Sequence, residues 1–135
     1  MPKIFPNNQK GISPFCDLIG LNFSKCEDGF SQCRLEINEN LFNTNRVVHG
    51  GVIYSMADTG MGAALYASLN EDEICATVEL KINYLKPVRE GVLTCDTKAI
   101  QKGKNIAVFE SEIKNGELLI AKALGTFSIF KSNNK

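Results

Sequence analysis

The sequence is poor in histidine and has no excess charge of either sign. It contains a single histidine, His49, and its five cysteines form no CxxC pair. Zinc sites need clusters of cysteine, histidine and acidic residues at short spacings, so we expect no metal site. Its 15 basic residues balance 15 acidic ones. Nucleic-acid binding normally requires a basic excess, and we therefore expect no nucleic-acid partner.

We expect neither a targeting signal nor a membrane span. Met1–Lys10 is polar and interrupted by two prolines, unlike a signal peptide. The stretch with fewest charges, Gly51–Leu69, contains serine, threonine and aspartate and is too isolated to span a bilayer convincingly. An odd number of cysteines without a signal peptide indicates reduced thiols, with Cys75 and Cys95 as small core residues. We expect a cytoplasmic protein with no membrane partner.

With 135 residues, 44% of them hydrophobic, the chain can bury one core and is too short for two ordinary domains. We predict one domain, 1–135, with an ordered core at about 14–130. Pro14–Ile19 is predicted to form a short helix, and Asn115-Gly116 indicates a hairpin. Alternating apolar residues predict five strands, which with one long helix give an antiparallel α+β fold. The strands are Phe30–Ile37, Val78–Tyr84 (ended by Pro87), Val92–Ile100, Ile106–Ile113 and Leu118–Phe130.

The long helix carries one charge, Asp58, in an otherwise apolar stretch from Gly51 to Leu69. Ionising an aspartate in such surroundings is costly unless it is paired or hydrogen-bonded. One interpretation is that Asp58 hydrogen-bonds a purely structural partner. The other is that it belongs to a functional site, where buried acids are common.

The diglycine Gly50-Gly51 at the start of this helix favours the functional interpretation, although a lone pair of glycines usually marks a turn. The first N–H groups of a helix lack partners and can bind an oxyanion, and glycine allows close approach to them. His49 and Asp58 are nine positions apart, about 13 Å along a helix axis. One helix cannot bring both to the same substrate, so we expect a dimer in which two helices share each site.

The segment Asn43–Asp58, with its His49-Gly50-Gly51 turn and spaced acid, resembles the hotdog-fold acyl-CoA thioesterases, as does the strand ending Asn83-Tyr-Leu-Lys-Pro87. Within these it looks like the phenylacetate-pathway and thioesterase-superfamily-member-2 branch. The resemblance covers roughly residues 15 to 130. It implies a hotdog fold, a sheet wrapped around one central helix, and a homodimer with shared sites that pairs into a dimer of dimers. It implies no cofactor, because coenzyme A is part of the substrate.

The resemblance also assigns catalytic residues by position. Asp58 falls where the branch keeps its carboxylate, as general base or as nucleophile. Gly50 matches the residue whose N–H polarises the thioester carbonyl, and Asn43 matches a side chain that orients water or the carbonyl from across the dimer interface. Thr77 matches a hydroxyl near the acid in some members. The alternation, however, places Thr77 on the strand face opposite Val78 and Leu80. Whether it points toward Asp58 then depends on which face meets the dimer partner, which the sequence leaves open.

His49 has two interpretations. It could act as a general acid, but a histidine at such a turn more often hydrogen-bonds the backbone, and we favour the second role. Gly51 is expected to let the substrate approach the helix closely. Tyr54, Met61, Leu65 and Tyr66 are candidates to line the acyl pocket, and core packing is the alternative for each.

The stretch from Glu79 to Lys104 has a local excess of basic residues, six against three acidic ones. Lys86 and Arg89, and then the turn Lys102-Gly103-Lys104, suit the phosphates of coenzyme A, where ammonium groups and a backbone N–H could act together. The alternative for this turn is a solvated hairpin tip.

The predicted function is hydrolysis of an acyl-CoA thioester to a free acid and coenzyme A. A non-catalytic acyl-CoA-binding protein is an alternative that would keep the pocket without needing Asp58. A dehydratase or hydratase would need a histidine and an acid at the acyl chain, and the single histidine lies in the glycine turn.

Overall fold

The computed structural model describes residues 3, 6 and 9–132. Two α-helices and six β-strands make up the regular structure of this part of the chain, with a 3-10 turn at Glu39–Leu41. The helices are α1 (Pro14–Ile19) and α2 (Gly50–Tyr66); the strands are β1 (Leu21–Glu27), β2 (Phe30–Glu36), β3 (Glu73–Tyr84), β4 (Val92–Lys102), β5 (Ile106–Asn115) and β6 (Leu118–Lys131).

The six strands form one antiparallel sheet in the order β1-β2-β4-β5-β6-β3. Helix α2 packs against one face of the sheet and contacts all six strands. This arrangement is the expected α+β hotdog fold. Strands β1 and β3 are the two edges, so each leaves one side of its backbone without a neighbouring strand.

Small residues allow α2 to pack closely on the sheet. A Cβ at Gly60 would lie 2.8 Å from Thr97 Oγ1, so no side chain fits there. The Ser31 hydroxyl donates to the Gly60 carbonyl at 2.6 Å, and the Cys33 and Cys95 thiols point at the Met56 carbonyl. Buried polar atoms in this contact are therefore hydrogen-bonded, as burial requires.

The expectation of five strands was wrong, because β1 was not predicted. A bulge between Phe23 and Lys25 breaks its alternation, so Leu21, Phe23 and Cys26 point inward at uneven spacing. Asp28-Gly29 is the turn between β1 and β2 and was an available hairpin signal. The other strands extend the predicted ranges by a few residues or end within one residue of them.

Helix α1 has the predicted bounds for clear local reasons. Ser13 caps its N-terminus by accepting the Cys16 N–H, Pro14 occupies the first turn, and Gly20 ends it with φ 79°. The left-handed φ at Gly20 is a conformation that glycine adopts without strain.

Cys95 is fully buried in the core, as expected, whereas Cys75 is partly buried. All five cysteines are free thiols. No helix in residues 9–132 is long and apolar enough to cross a membrane.

Candidate active site

Asp58 lies in the middle of α2 and points toward β3. The Thr77 hydroxyl donates to Asp58 Oδ1 at 2.7 Å, and the carboxylate is partly buried. Cys75, two residues before Thr77, is close enough for the Asp58 charge to act on it: burial raises the pKa of the Cys75 thiol, and the negative charge of Asp58 raises it further. A hydrogen-bonded carboxylate that is still accessible can act as a base or as a nucleophile.

A bulge in β3 decides where Thr77 points. Thr77 pairs with Phe127 and Glu79 with Thr126, so Val78 is an extra residue without a partner on β6. The extra residue changes the alternation. Thr77 therefore faces α2, the same side to which Leu80 packs, whereas Val78 is exposed. The expectation that Thr77 and Leu80 lie on opposite faces was wrong, because it assumed an unbroken strand.

Asp58 and Thr77 open into a pocket of about 530 Å³ with mainly apolar walls. It lies between α1, β1, α2, β3 and residues 9–13, which precede α1. Of the side chains expected to line an acyl pocket, Tyr66 does so. Met61 and Leu65 are fully buried in the core, which was the alternative expected for each candidate, and Tyr54 is exposed. None of these three lines this pocket, because helical spacing alone does not distinguish core from pocket.

The N-terminus of α2 forms a second polar centre. His49 caps the helix, and its Nδ1 accepts the Gly51 N–H at 2.7 Å. Among the described residues the Gly50 N–H has no hydrogen-bond partner. The Tyr84 hydroxyl donates to the Gly50 carbonyl at 2.8 Å, and a Cβ at residue 50 would lie 3.1 Å from Tyr84 Cζ. The free donor of the diglycine therefore belongs to Gly50, and the His49 ring fixes the turn through a backbone hydrogen bond.

A second pocket, of about 300 Å³, brings Gly50 together with Asn43, Tyr84 and Lys86. Asn43 Oδ1 accepts the Asn45 N–H at 2.8 Å, which holds the loop before α2. Within residues 9–132 the carboxamide nitrogen of Asn43 makes no hydrogen bond, so it can donate to another partner. Helix N-termini carry a partial positive charge, so this pocket favours a developing negative charge.

The two polar centres of one chain are separate. Gly50 and Asp58 are eight residues apart on α2, which corresponds to about 12 Å along the helix axis. The pocket with Asp58 and the pocket with Gly50 have no lining residue in common.

The basic residues expected to bind coenzyme A lie at opposite ends of the sheet. Lys86 and Arg89 flank Val88, whose carbonyl accepts the Val48 N–H just before α2. The Lys102–Lys104 turn follows β4 at the other end, and the 11 residues of that strand span about 33 Å. They cannot form one phosphate site within a single chain. The Gly103 N–H already donates to the Ile106 carbonyl at 2.7 Å, so its expected role as a phosphate donor was wrong.

Within residues 9–132 no three histidine, cysteine, aspartate or glutamate side chains are grouped so that they could hold a metal ion. The chemistry available at the two centres consists of a carboxylate, a hydroxyl, a carboxamide and a free helix N–H. These are the parts of an acyl-transfer site: an acid–base or nucleophilic group and an oxyanion donor.

Comparison with known proteins agrees with this chemistry. The sequence profile of the thioesterase superfamily matches residues 45–121, which include Gly50, Asp58 and Thr77. The chain is 29% identical over 133 residues to the medium/long-chain acyl-CoA thioesterase YigI of Escherichia coli, covering 86% of this chain and 85% of that protein.

Solved structures show the same fold. The conserved protein PA5202 from Pseudomonas aeruginosa superposes with a TM-score of 0.87 at 34% identity, over 93% of this chain and 100% of that one. Thioesterase HI1161 from Haemophilus influenzae has a TM-score of 0.86 at 22% identity, over 98% and 95% of the two chains. From the matched profile, the relatives and the site geometry, we conclude that the chain belongs to the thioesterase superfamily and is a thioester hydrolase.

Proposed function

We propose that the protein hydrolyses the thioester of acyl-coenzyme A, with Asp58 of one copy and the Gly50 N–H of a second copy acting on the same carbonyl group. The observation that carries this proposal is the hydrogen-bonded Asp58 carboxylate at the mouth of an apolar pocket. The similarity to an acyl-CoA thioesterase of Escherichia coli supports the choice of thioester.

Asp58 has two possible routes to the same products. As a general base it takes a proton from water while the water oxygen attacks the carbonyl carbon; the C–S bond then breaks, and the coenzyme A sulfur leaves and takes up that proton. As a nucleophile it attacks the carbonyl carbon itself, so that the C–S bond breaks, coenzyme A leaves as the thiolate and a mixed anhydride remains. Water then hydrolyses the anhydride to the free acid and the Asp58 carboxylate, and the proton that this step releases goes to the thiolate. In both routes the Thr77 hydroxyl orients the carboxylate.

The Gly50 N–H is suited to the carbonyl oxygen, which becomes negative as the tetrahedral intermediate forms. The dipole of α2 strengthens this donor. Asn43 lines the same pocket and presents its carboxamide nitrogen to the carbonyl or to the attacking water. Lys86 also lines this pocket and can meet a phosphate of coenzyme A, with the exposed Arg89 three residues further on.

The separation of about 12 Å between the two centres requires a second copy. A two-fold axis that runs two α2 helices antiparallel brings Gly50 of each chain toward Asp58 of the other. The free edge of β3, which exposes Ile74, Val78 and Tyr84, is available for this contact. We therefore propose a homodimer with two shared sites, which a dimer of dimers would also retain.

Thiol release from a panel of aliphatic and aromatic acyl-CoAs tests the proposal, with Asp58→Asn as the test variant. Asp96→Asn is the matched control, because Asp96 accepts a hydrogen bond from Gln32 outside both pockets. Light scattering checks that each variant keeps the parent's oligomeric state. We expect Asp58→Asn to lower kcat by about 10²–10⁴ and Asp96→Asn to leave it unchanged.

Equal rates for the parent and Asp58→Asn would refute the role of Asp58. A parent that binds acyl-CoA without releasing thiol would instead be a non-catalytic binding protein. A monomer with full activity would refute the shared site.

A further inference from the structure

The pocket beside Asp58 extends away from the carboxylate along one stripe of α2. Asp58, Gly62 and Tyr66 are spaced four residues apart, so they lie one after another on the same face of the helix. All three line the pocket. The eight residues from Asp58 to Tyr66 correspond to about 12 Å along the helix axis. The pocket therefore has a reactive end at Asp58 and a far end at Tyr66.

Gly62 leaves the middle of this stripe open. A Cβ added there would have one neighbour within 4 Å, Phe127 Cε2 at 3.9 Å, which is ordinary contact. At Gly60 the same addition would meet Thr97 Oγ1 at 2.8 Å, so that glycine serves helix packing. Glycine within a helix is destabilising relative to alanine. Packing does not require a glycine at residue 62. The absence of a side chain there leaves space in the pocket.

Residues 9–13, just before α1, form another wall of this pocket, and Gln9 fixes them to the edge of the sheet. The Gln9 carboxamide donates to the Phe23 carbonyl at 2.9 Å and accepts the Phe23 N–H at 2.8 Å, as the backbone of a neighbouring strand would. The Gly11 N–H donates to Asp17 Oδ2 at 2.9 Å. Ile12 contributes an apolar side chain to the pocket. A wall held in this way keeps the pocket formed before a ligand arrives.

We propose, building on the acyl-CoA thioesterase function above, that an unbranched apolar acyl chain lies along this stripe and that Gly62 determines the length of chain the pocket accepts. An extended covalent chain advances about 3.6 Å for every three bonds, or about 1.2 Å per bond. The stripe thus accommodates about ten carbons, and Tyr66 ends it. A side chain at residue 62, one helical turn from Asp58, would stop the chain after about five bonds.

Chain-length profiles of four variants test this assignment. We expect Gly62→Leu to lower kcat/KM for decanoyl-CoA at least about tenfold. Each methylene group that is excluded from an apolar site should lower kcat/KM about fourfold. Butyryl-CoA, which ends before residue 62, should stay within about twofold of the parent value. Gly62→Ala should give an intermediate profile.

Tyr66→Ala should move the profile in the opposite direction, toward hexadecanoyl-CoA, because it opens the far end. Tyr66→Phe keeps the ring and should keep the parent profile. General damage to the fold would lower all chain lengths together, so opposite movements at Gly62 and Tyr66 identify a pocket of defined length. An unchanged profile in Gly62→Leu, or an equal loss for all chain lengths, would refute the proposal.

Binding of S-butyl-CoA and S-decyl-CoA, thioethers that cannot be hydrolysed, separates this inference from the proposed function. Calorimetry should show that Gly62→Leu raises the Kd for S-decyl-CoA at least about tenfold. The Kd for S-butyl-CoA should rise by less than about twofold. A parent that hydrolyses no acyl-CoA would refute the thioesterase proposal, and this difference in binding would still support the acyl pocket. Equal binding of both thioethers by parent and variant would refute the acyl pocket even in an active enzyme.

Discussion

Replacing Thr77 with valine removes the one hydroxyl that the structure places on Asp58 while keeping nearly the same shape. The Thr77 hydroxyl donates to Asp58 Oδ1 at 2.7 Å, a normal distance for a bond to an ionised carboxylate. Valine is β-branched like threonine and suits a strand equally well. We therefore expect the sheet to form and the rate of thioester hydrolysis to fall.

The size of the loss follows from the exposure of the two groups. A hydrogen bond to a charged group contributes about 1.5–3 kcal/mol. Thr77 is exposed and Asp58 is partly buried, so water replaces part of the lost bond and roughly 1–2 kcal/mol remains. At about 1.36 kcal/mol per factor of ten, kcat should fall about 5- to 30-fold. KM should change less, because the hydroxyl acts on the carboxylate.

Thr126→Val is the matched control for this experiment. The Thr126 hydroxyl donates to Glu79 Oε2 at 2.6 Å on the neighbouring strand, outside the pocket with Asp58. Steady-state thiol release should show a loss in Thr77→Val and parent activity in Thr126→Val. Parent activity in both variants, or an equal loss in both, would refute the role given to Thr77.

Three further predictions concern stability and reactivity. His49→Ala removes the acceptor of the Gly51 N–H at 2.7 Å and should lower the free energy of unfolding in urea by about 1 kcal/mol; an unchanged midpoint would contradict the capping role. Gly60→Ala places a methyl group 2.8 Å from Thr97 Oγ1, so despite better helix propensity we expect a net loss of roughly 1–2 kcal/mol and a lower Tm. Burial raises the pKa of Cys26 to about 11, so at pH 8 about one thiol in a thousand is ionised. Iodoacetamide should label Cys26 slowly at pH 8 and faster as the pH approaches 11, and rapid labelling at pH 8, located by mass spectrometry, would contradict this.

The sequence predicted the elements whose patterns are regular. Helix α1 has the predicted bounds. Helix α2 begins one residue before the predicted start, because His49 caps it, and ends at Tyr66, three residues before the predicted end. The hairpin that Asn115-Gly116 indicated is formed, and Gly116, with φ 62°, is the first residue of its turn. These features depend on neighbouring residues, which the sequence displays directly.

The structure differs from the sequence prediction where one extra residue changes the alternation of a strand. The bulge at Ser24 interrupts the alternating pattern of β1, so the sequence did not predict that strand. The bulge at Val78 places Thr77 on the face that meets Asp58. Bulges depend on the partner strand, so period-2 patterns alone do not locate them. The distance between Lys86 and Lys102 likewise depends on strand direction, which a local excess of charge does not reveal.

The contact of Gln9 with β1 also bears on how the chains can associate. A sheet with two open edges can add strands from both sides, and such growth produces filaments. Gln9 occupies the main-chain N–H and carbonyl of Phe23 on one edge, next to a bulge that disturbs further pairing. The other edge, β3, can pair with β3 of a second copy, and that contact uses the same edge in both chains. The Gln9 side chain thus leaves β3 as the edge for a second copy, and the proposed homodimer would close that edge in both chains.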